Sequence, residues 1–347
     1  MADLPGIRPL GEYALVIDAR TPGEFAEDHL PGAVNLPVVT QEEFAEVGTL
    51  HRTHPHQAYI LGAQYALRNI ARHIAEAIAP RKPSDRILIY CFRGGKRSRA
   101  WADPVRNIGY TVDVLPGGWK AYRAWVREEL ARLSTAFDWR VVTGSTASGK
   151  TRLLDALAQE GAQVVDLEGL AAHRGSLLGD LPAQPQPTQK LFDTALRETL
   201  AKLDPRRPVW VEDESKRIGK LQLPTELFDA IRVAPVVRVE APLQARVGLC
   251  RVDYAHFAAD PVAMVQRLWP VRALVGGTCW AEWMALAEAG DVDTLFGRLM
   301  TDHYDPCYAR SSNAKRPTVR TVELADLSET TLREAAQQLL TTAHAQV

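Results

Sequence analysis

Short apolar runs alternate with stretches of helical spacing along the first third of the chain. YALVID, residues 13–18, is rich in β-formers and ends in an acid. Residues 62–79 place apolar side chains at helical spacing and stop at Pro80. ILIY, residues 87–90, is a continuous apolar run, the pattern of a strand buried on both faces. It leads into a glycine-rich loop and then a helix, SRAWADPVRNIG, closed by Gly109. TVDVLPGG supplies a further strand and turn, and WKAYRAWVREELARL a further helix. Strands alternating with helices predict a parallel, doubly wound sheet.

Near residues 133–137 a charged helix gives way to Ser-Thr-Ala, and a second α/β pattern begins. WRVVTG, AQVVDL, PVWVED and IRVAPVVRVE read as strands, KTRLLDALAQEG and LFDTALRETLAKL as helices. A Pro/Gln-rich stretch at residues 181–187 reads as a surface loop, and beyond the last strand the chain reads mostly helical until Met300. No repeat of fixed period is present. The predicted fold class is α/β throughout. A doubly wound domain over residues 1–135 precedes an α/β domain over 136–347 with a helical C-terminal part.

Composition agrees with two packed cores: 46% of the residues are hydrophobic and 24% charged. No apolar run approaches the roughly 18 residues that a membrane helix needs, so no membrane partner is expected. The start, MADLPGIRPLGEYAL, lacks the basic and apolar segments of a secretory signal. Cys91, Cys250, Cys279 and Cys307 are widely spaced, which suggests neither a disulfide framework nor a zinc ribbon. A cytoplasmic location with reduced thiols is expected. The formal net charge of −1 hides an asymmetry. Residues 1–80 carry 5 basic and 10 acidic side chains, whereas residues 81–132 carry 12 basic and 5 acidic. A second, acid-free stretch over 306–322 holds Arg310, Lys315, Arg316 and Arg320. Such local fields favour a polyanionic partner, although a charge run by itself is more often a solvated face.

Two segments carry chemistry. Cys91 ends the ILIY strand and opens the loop Phe92-Arg93-Gly94-Gly95-Lys96-Arg97-Ser98. Arg93, Lys96, Arg97 and the N-terminus of the next helix are expected to favour its thiolate. Gly94 and Gly95 let the backbone N–H groups turn inward as an oxyanion nest. The other three cysteines default to packing. The second segment is Gly144-Ser145-Thr146-Ala147-Ser148-Gly149-Lys150-Thr151, a full P-loop motif between a predicted strand and helix. Its N–H groups would cradle a diphosphate or triphosphate, Lys150 would meet the terminal phosphates, and Thr151 would reach a Mg²⁺. Glu212 and Asp213 close a later strand, where an acid or metal ligand is expected.

The segments Val16–Phe25 and His29–Pro37 resemble the rhodanese family, as do Cys91–Ser98 and Gly117-Gly118-Trp119-Lys120-Ala121-Tyr122, with Asp28 where a glycine often stands. In rhodaneses such a cysteine carries sulfur or selenium. Rhodanese-fold phosphatases share the C-x5-R loop but favour a histidine where this chain has Tyr90. Adding the P-loop, DLEGL from Asp166, HRGS from His173, EDESKRIG from Glu212 and Tyr304-Asp305-Pro306, nearly the whole chain resembles the tRNA 2-selenouridine synthases. Lys96 and Ala147 depart from that pattern.

The resemblance implies a tRNA carrying wobble 2-thiouridine as substrate. Its sulfur would be alkylated by geranyl diphosphate at the P-loop, then exchanged for selenium from selenophosphate held by Arg93, Gly94, Gly95, Lys96 and Arg97 around Cys91. No tightly bound cofactor is expected, and a selenophosphate-supplying enzyme is an implied partner. Lys120, Arg123 and Arg127 are candidate tRNA contacts, with Trp119, Tyr122 and Trp125 as stacking or core aromatics. The alternatives are a P-loop kinase or NTPase with a sulfurtransferase or phosphatase module, and a non-catalytic RNA-binding scaffold.

Overall fold

Leu15, Ile17 and Ala19 share one buried cluster with Ile87, Ile89 and Cys91, as the period of two in paired strands requires. The sheet that orders them is seen in a computed structural model, which describes residues 4–182, 184–311, 316 and 318–344. Four parallel strands, β1 (Leu15–Asp18), β2 (Ala33–Asn35), β3 (Arg86–Tyr90) and β4 (Thr111–Val114), lie in the order β2-β1-β3-β4. Because β3 is paired on both sides and covered on both faces, ILIY has no polar residue. Ile70 of helix Pro55–His73 and Trp101 and Val105 of helix Lys96–Ile108 cover one face. The chain leaves β1 and β3 in opposite directions, and the carboxyl ends of strands at such a reversal form a ligand crevice. Cys91 follows β3 there.

The chain divides into two compact units, Met1–Leu130 with Thr188–Glu198, and Ala131–Pro187 with Thr199–Val347. Asp28 ties the 188–198 segment into the first unit. It is fully buried, accepting from Trp119 Nε1 at 2.9 Å and from Thr194 Oγ1 at 2.8 Å. A glycine at this position would leave both donors without that acceptor. Helix Gln41–Thr53, unforeseen in the sequence, opens with a capping box between Thr40 and Glu43.

In the second unit five parallel strands take the order β11-β10-β5-β7-β6. They are β5 (Trp139–Gly144), β6 (Gln163–Val165), β7 (Val209–Glu212), β10 (Val236–Glu240) and β11 (Thr318–Glu323), with a small antiparallel pair, β8 (Arg217–Ile218) and β9 (Leu221–Gln222), beside them. The run IRVAPVVRVE is only half strand: helix Thr225–Val233 takes its first residues, and β10 starts after Pro235. Helices fill most of the span between β10 and β11, after which the chain returns to the sheet. Part of the basic stretch is therefore the edge strand β11, and Lys315 and the side chain of Arg310 lie outside the described residues. The last helix, Glu329–His344, packs Leu332, Ala336 and Leu339 with Leu153 and Leu157 of helix Lys150–Gln159, the helix that follows the P-loop. Among the described residues no helix is long and apolar enough to cross a membrane.

Candidate functional site

Cys91 is 3% exposed, and its Sγ lies 3.3 Å from Ser98 Oγ. The one hydrogen of that hydroxyl has two acceptors within reach, the sulfur and the Gly95 carbonyl oxygen at 3.1 Å, and it serves the sulfur once the thiol ionises. Burial pushes the thiol up, but the Ser98 hydroxyl and the N–H groups of Ser98, Arg93 and Gly95 outweigh it, and the thiol sits below its ordinary value. The donors nearest the sulfur form a neutral ring. Arg97 is held by Glu24 at 2.6 Å, Lys96 Nζ lies 4.2 Å from the Tyr59 ring centre, and Arg93 stacks near Phe92. The three cations border the loop.

A second turn braces the loop from beneath. Trp119 N–H donates to the Cys91 carbonyl at 2.8 Å and Lys120 N–H to that of Phe92 at 3.0 Å. Gly118 has φ +59°, and a methyl there would stand 2.2 Å from the Cys91 carbonyl oxygen and 2.5 Å from Gly94 N. Neither backbone atom can move without opening the nest. Gly118→Ala should cost about 2–4 kcal/mol of stability and slow iodoacetamide alkylation of Cys91 at neutral pH about tenfold or more. A melting temperature and alkylation rate equal to wild type would refute the bracing role.

The P-loop follows β5, flanked in the sheet by β7 and β10. Lys150 Nζ donates to the Gly144 and Ser145 carbonyls at 2.9 and 3.0 Å. Burial pulls its ammonium down, and Glu168, Glu214 and Asp213 oppose that without cancelling it. Ala147 stands in left-handed backbone, φ 57°, which costs an alanine about 1 kcal/mol relative to glycine. The Thr146 carbonyl accepts from Arg246 Nε at 2.8 Å, and Arg246 is clamped by both carboxylate oxygens of Asp305. A cavity of about 720 Å³ adjoins the loop. The segments at residues 166–176, 212–219 and 304–306 all pack around it or its supports.

Glu212 and Asp213 have different partners. Burial pushes Glu212 to about 8, with the Asp166 and Glu168 charges adding, while the Glu168 N–H donates to its Oε1 at 2.9 Å. Asp213 accepts from Thr143 Oγ1 at 2.9 Å and from Arg316 Nη2 at 2.6 Å. In the unfolded chain Glu212 titrates near its ordinary 4.5, so the folded state binds the extra proton between that pH and about 8. Its share of stability therefore falls as pH rises through this window, by up to about 1.4 kcal/mol per unit, and is constant above it. Glu212→Gln should flatten the fall in melting temperature across pH 5–8; an unchanged slope would mean that the buried carboxyl titrates normally.

The family profile described as tRNA 2-selenouridine synthase AAA domain matches residues 137–268, and the rhodanese-like domain profile matches residues 7–124. The tRNA 2-selenouridine synthase of Aeromonas salmonicida is 38% identical over 355 residues, which cover 92% of this chain and 94% of that protein. The chain belongs to the tRNA 2-selenouridine synthase family. The synthases of Nitrosomonas europaea and Nitrosomonas eutropha are 36% and 35% identical, each over 73% of this chain. The chain spans 66% and 65% of the length of those two relatives.

Within this family member, the predicted tRNA contacts separate. Lys120 and Arg127 are exposed. Arg123 is not available: it is 5% exposed, with Nη2 on Asp193 at 2.7 Å and Nη1 on the Lys190 carbonyl at 2.9 Å. Trp119, Tyr122 and Trp125 are buried, so they are core side chains and not stacking platforms. In the basic stretch, Arg320 Nη1 reaches the Gln338 carbonyl and Arg316 turns onto Asp213. Sequence reasoning missed Ser98, Arg246 and the support given by Gly118. Ser98 had a local signal, standing in the first turn after the nest. Arg246 had none, because its partner Asp305 is 59 residues away.

Proposed function

We propose that the protein exchanges the sulfur of wobble 2-thiouridine in tRNA for selenium, using its two sites for two steps. The observation that carries the first step is one cavity bringing the P-loop together with Leu177, Leu249, Tyr254, Tyr304 and Tyr308. A phosphate cradle beside apolar and aromatic side chains suits a diphosphate on a hydrocarbon chain, here geranyl diphosphate. The thiocarbonyl sulfur attacks the carbon bearing the diphosphate. An S–C bond forms, the C–O bond breaks, diphosphate leaves with the electron pair, and the N3 proton of the base passes to solvent. Lys150 and the loop N–H groups stabilise the charge that develops on it.

Alkylation turns the sulfur into a good leaving group for the second step. Selenium from selenophosphate takes its place on the base, geranyl thiol departs, and water takes the phosphoryl group as phosphate. The nest around Cys91 supports holding the oxyanion, and the lowered thiol supports Cys91 as nucleophile at the selenophosphate phosphorus: an S–P bond forms, the P–Se bond breaks, selenide leaves with the electron pair for the base carbon, and water then cleaves the S–P bond to give phosphate. Exposed Lys120 and Arg127 would hold tRNA phosphates on that unit. For a Mg²⁺, Thr151 Oγ1 lies 3.5 Å from Glu168 Oε2, and no group of three acidic, His or Cys side chains able to hold a metal is found among the described residues. These two oxygens fit an ion whose other ligands are phosphate and water, as is usual for Mg²⁺.

Nucleoside mass analysis of thiolated tRNA, after incubation with protein and geranyl diphosphate, tests the proposal. S-geranyl-2-thiouridine is expected without selenophosphate and 2-selenouridine with it. ATP or GTP turnover without tRNA, and no new nucleoside, would replace it with the NTPase alternative.

A further inference from the structure

Arg316 lies outside every motif assigned above, yet it lines the P-loop cavity. Its side chain is 10% exposed. One end of the guanidinium is fixed: Nη2 donates to Asp213 Oδ2 at 2.6 Å, and Thr143 of β5 holds the same oxygen at 2.9 Å. The other end is not, for Nη1 is buried and has no acceptor among the described residues. A buried, charged donor left unpaired is costly, and it is satisfied when an acceptor enters. The other cations of the cavity are engaged differently, Lys216 and Arg232 over the Phe228 ring. Lys150 Nζ rests on two loop carbonyls, Arg174 Nη1 donates to the Asp253 carbonyl, and Arg152 pairs with the Asp253 carboxylate at 2.8 Å.

We propose that Arg316 is a second anion-holding residue of this cavity, taking a diphosphate oxygen through Nη1 while Nη2 stays on Asp213. The guanidinium fork is suited to this division, since its donors are coplanar and fixed relative to one another. Asp213 then acts as the anchor that aims the arginine, not as a metal ligand. Two cations from distant parts of the chain, Lys150 and Arg316, share the charge released as the C–O bond breaks. Arg316 is thereby withdrawn from the set of tRNA phosphate contacts that the basic stretch suggested. The inference rests on the reading of the P-loop as a diphosphate site.

Calorimetric binding of inorganic pyrophosphate to the full chain separates the two ideas. Wild type should bind and Lys150→Ala should not. Arg316→Gln should bind about 10- to 100-fold more weakly, the range of one charge-assisted hydrogen bond. Arg316→Lys, which keeps the charge but not the fork, should fall between. Equal affinity of wild type and Arg316→Gln would overturn the role of Arg316 and leave the P-loop reading standing, whereas absence of binding to wild type would overturn both. Should the variants fold poorly, wild type still decides. Pyrophosphate should protect Arg316 from phenylglyoxal modification mapped by mass spectrometry, and unchanged labelling would overturn the proposal.

Discussion

Cys91→Ala is expected to abolish selenium incorporation, by at least about 1,000-fold, while S-geranyl-2-thiouridine accumulates as the product. The size of the effect follows from the setting. No other described thiol stands in such a nest: burial, with the Asp253 charge adding, pushes Cys250 to about 12, and burial likewise pushes Cys279 to about 11. Cys307, with Sγ 3.8 Å from His303 Nδ1, belongs to the second unit, and none of the three could replace Cys91. Serine should not either, because a hydroxyl begins so far from ionisation that the same few hydrogen bonds cannot make it an anion near neutral pH. The fold should survive, since alanine removes one buried sulfur, a loss of about 1 kcal/mol. Nucleoside mass analysis at equal protein and matched melting temperature is the measurement. Normal 2-selenouridine from Cys91→Ala would end the chemical role of the thiol. A related expectation concerns pH. The selenium step in wild type should be fully developed at a pH below the ordinary thiol value, because the nest holds the folded thiol below it.

Both reacting loops are legible in the sequence because each is local. A buried strand, a few glycines and the start of a helix are consecutive in the chain, and their spacing alone positions a thiol or a phosphate cradle. What surrounds them is not local. Trp119, Tyr122 and Trp125 show only a helix with an aromatic face. Tyr122 and Arg123 meet Thr194 and Asp193 from about seventy residues further on, and no periodicity within residues 118–134 reports that cover. Charge counting fails in the same way. Arg316 and Asp213 are 103 residues apart, and their pairing converts part of a basic stretch into one wall of a cavity. β11 escaped for a different reason: at the sheet edge, with Thr318, Val319, Thr321 and Glu323 exposed, it lacks the apolar run that betrays β3.

Lys150→Ala should suppress geranyl transfer by about 100- to 1,000-fold, and tRNA supplied already geranylated should restore most of the selenation. The first half is electrostatic. Lys150 donates to two loop carbonyls, and a bound phosphate would offer its ammonium a charged acceptor instead. Burial has already pulled that ammonium's pKa down, so the group gains more from an anion than a solvated lysine would. The loss should appear in both the affinity for geranyl diphosphate and the rate of its departure, because diphosphate carries more negative charge as the C–O bond breaks. The second half depends on separate cores. Cys91 packs among β1, β3 and the helix Lys96–Ile108, whereas Leu153 and Leu157 behind the P-loop pack with Leu332 and Ala336. Removing a charge from the second site leaves the contacts around the thiol intact. Melting temperature and tRNA affinity serve as controls, and the product is measured by nucleoside mass analysis from thiolated and from pre-geranylated tRNA. If the variant folds and binds tRNA but converts neither substrate, the phosphate cradle takes part in both steps and the division of chemistry between the two loops is wrong.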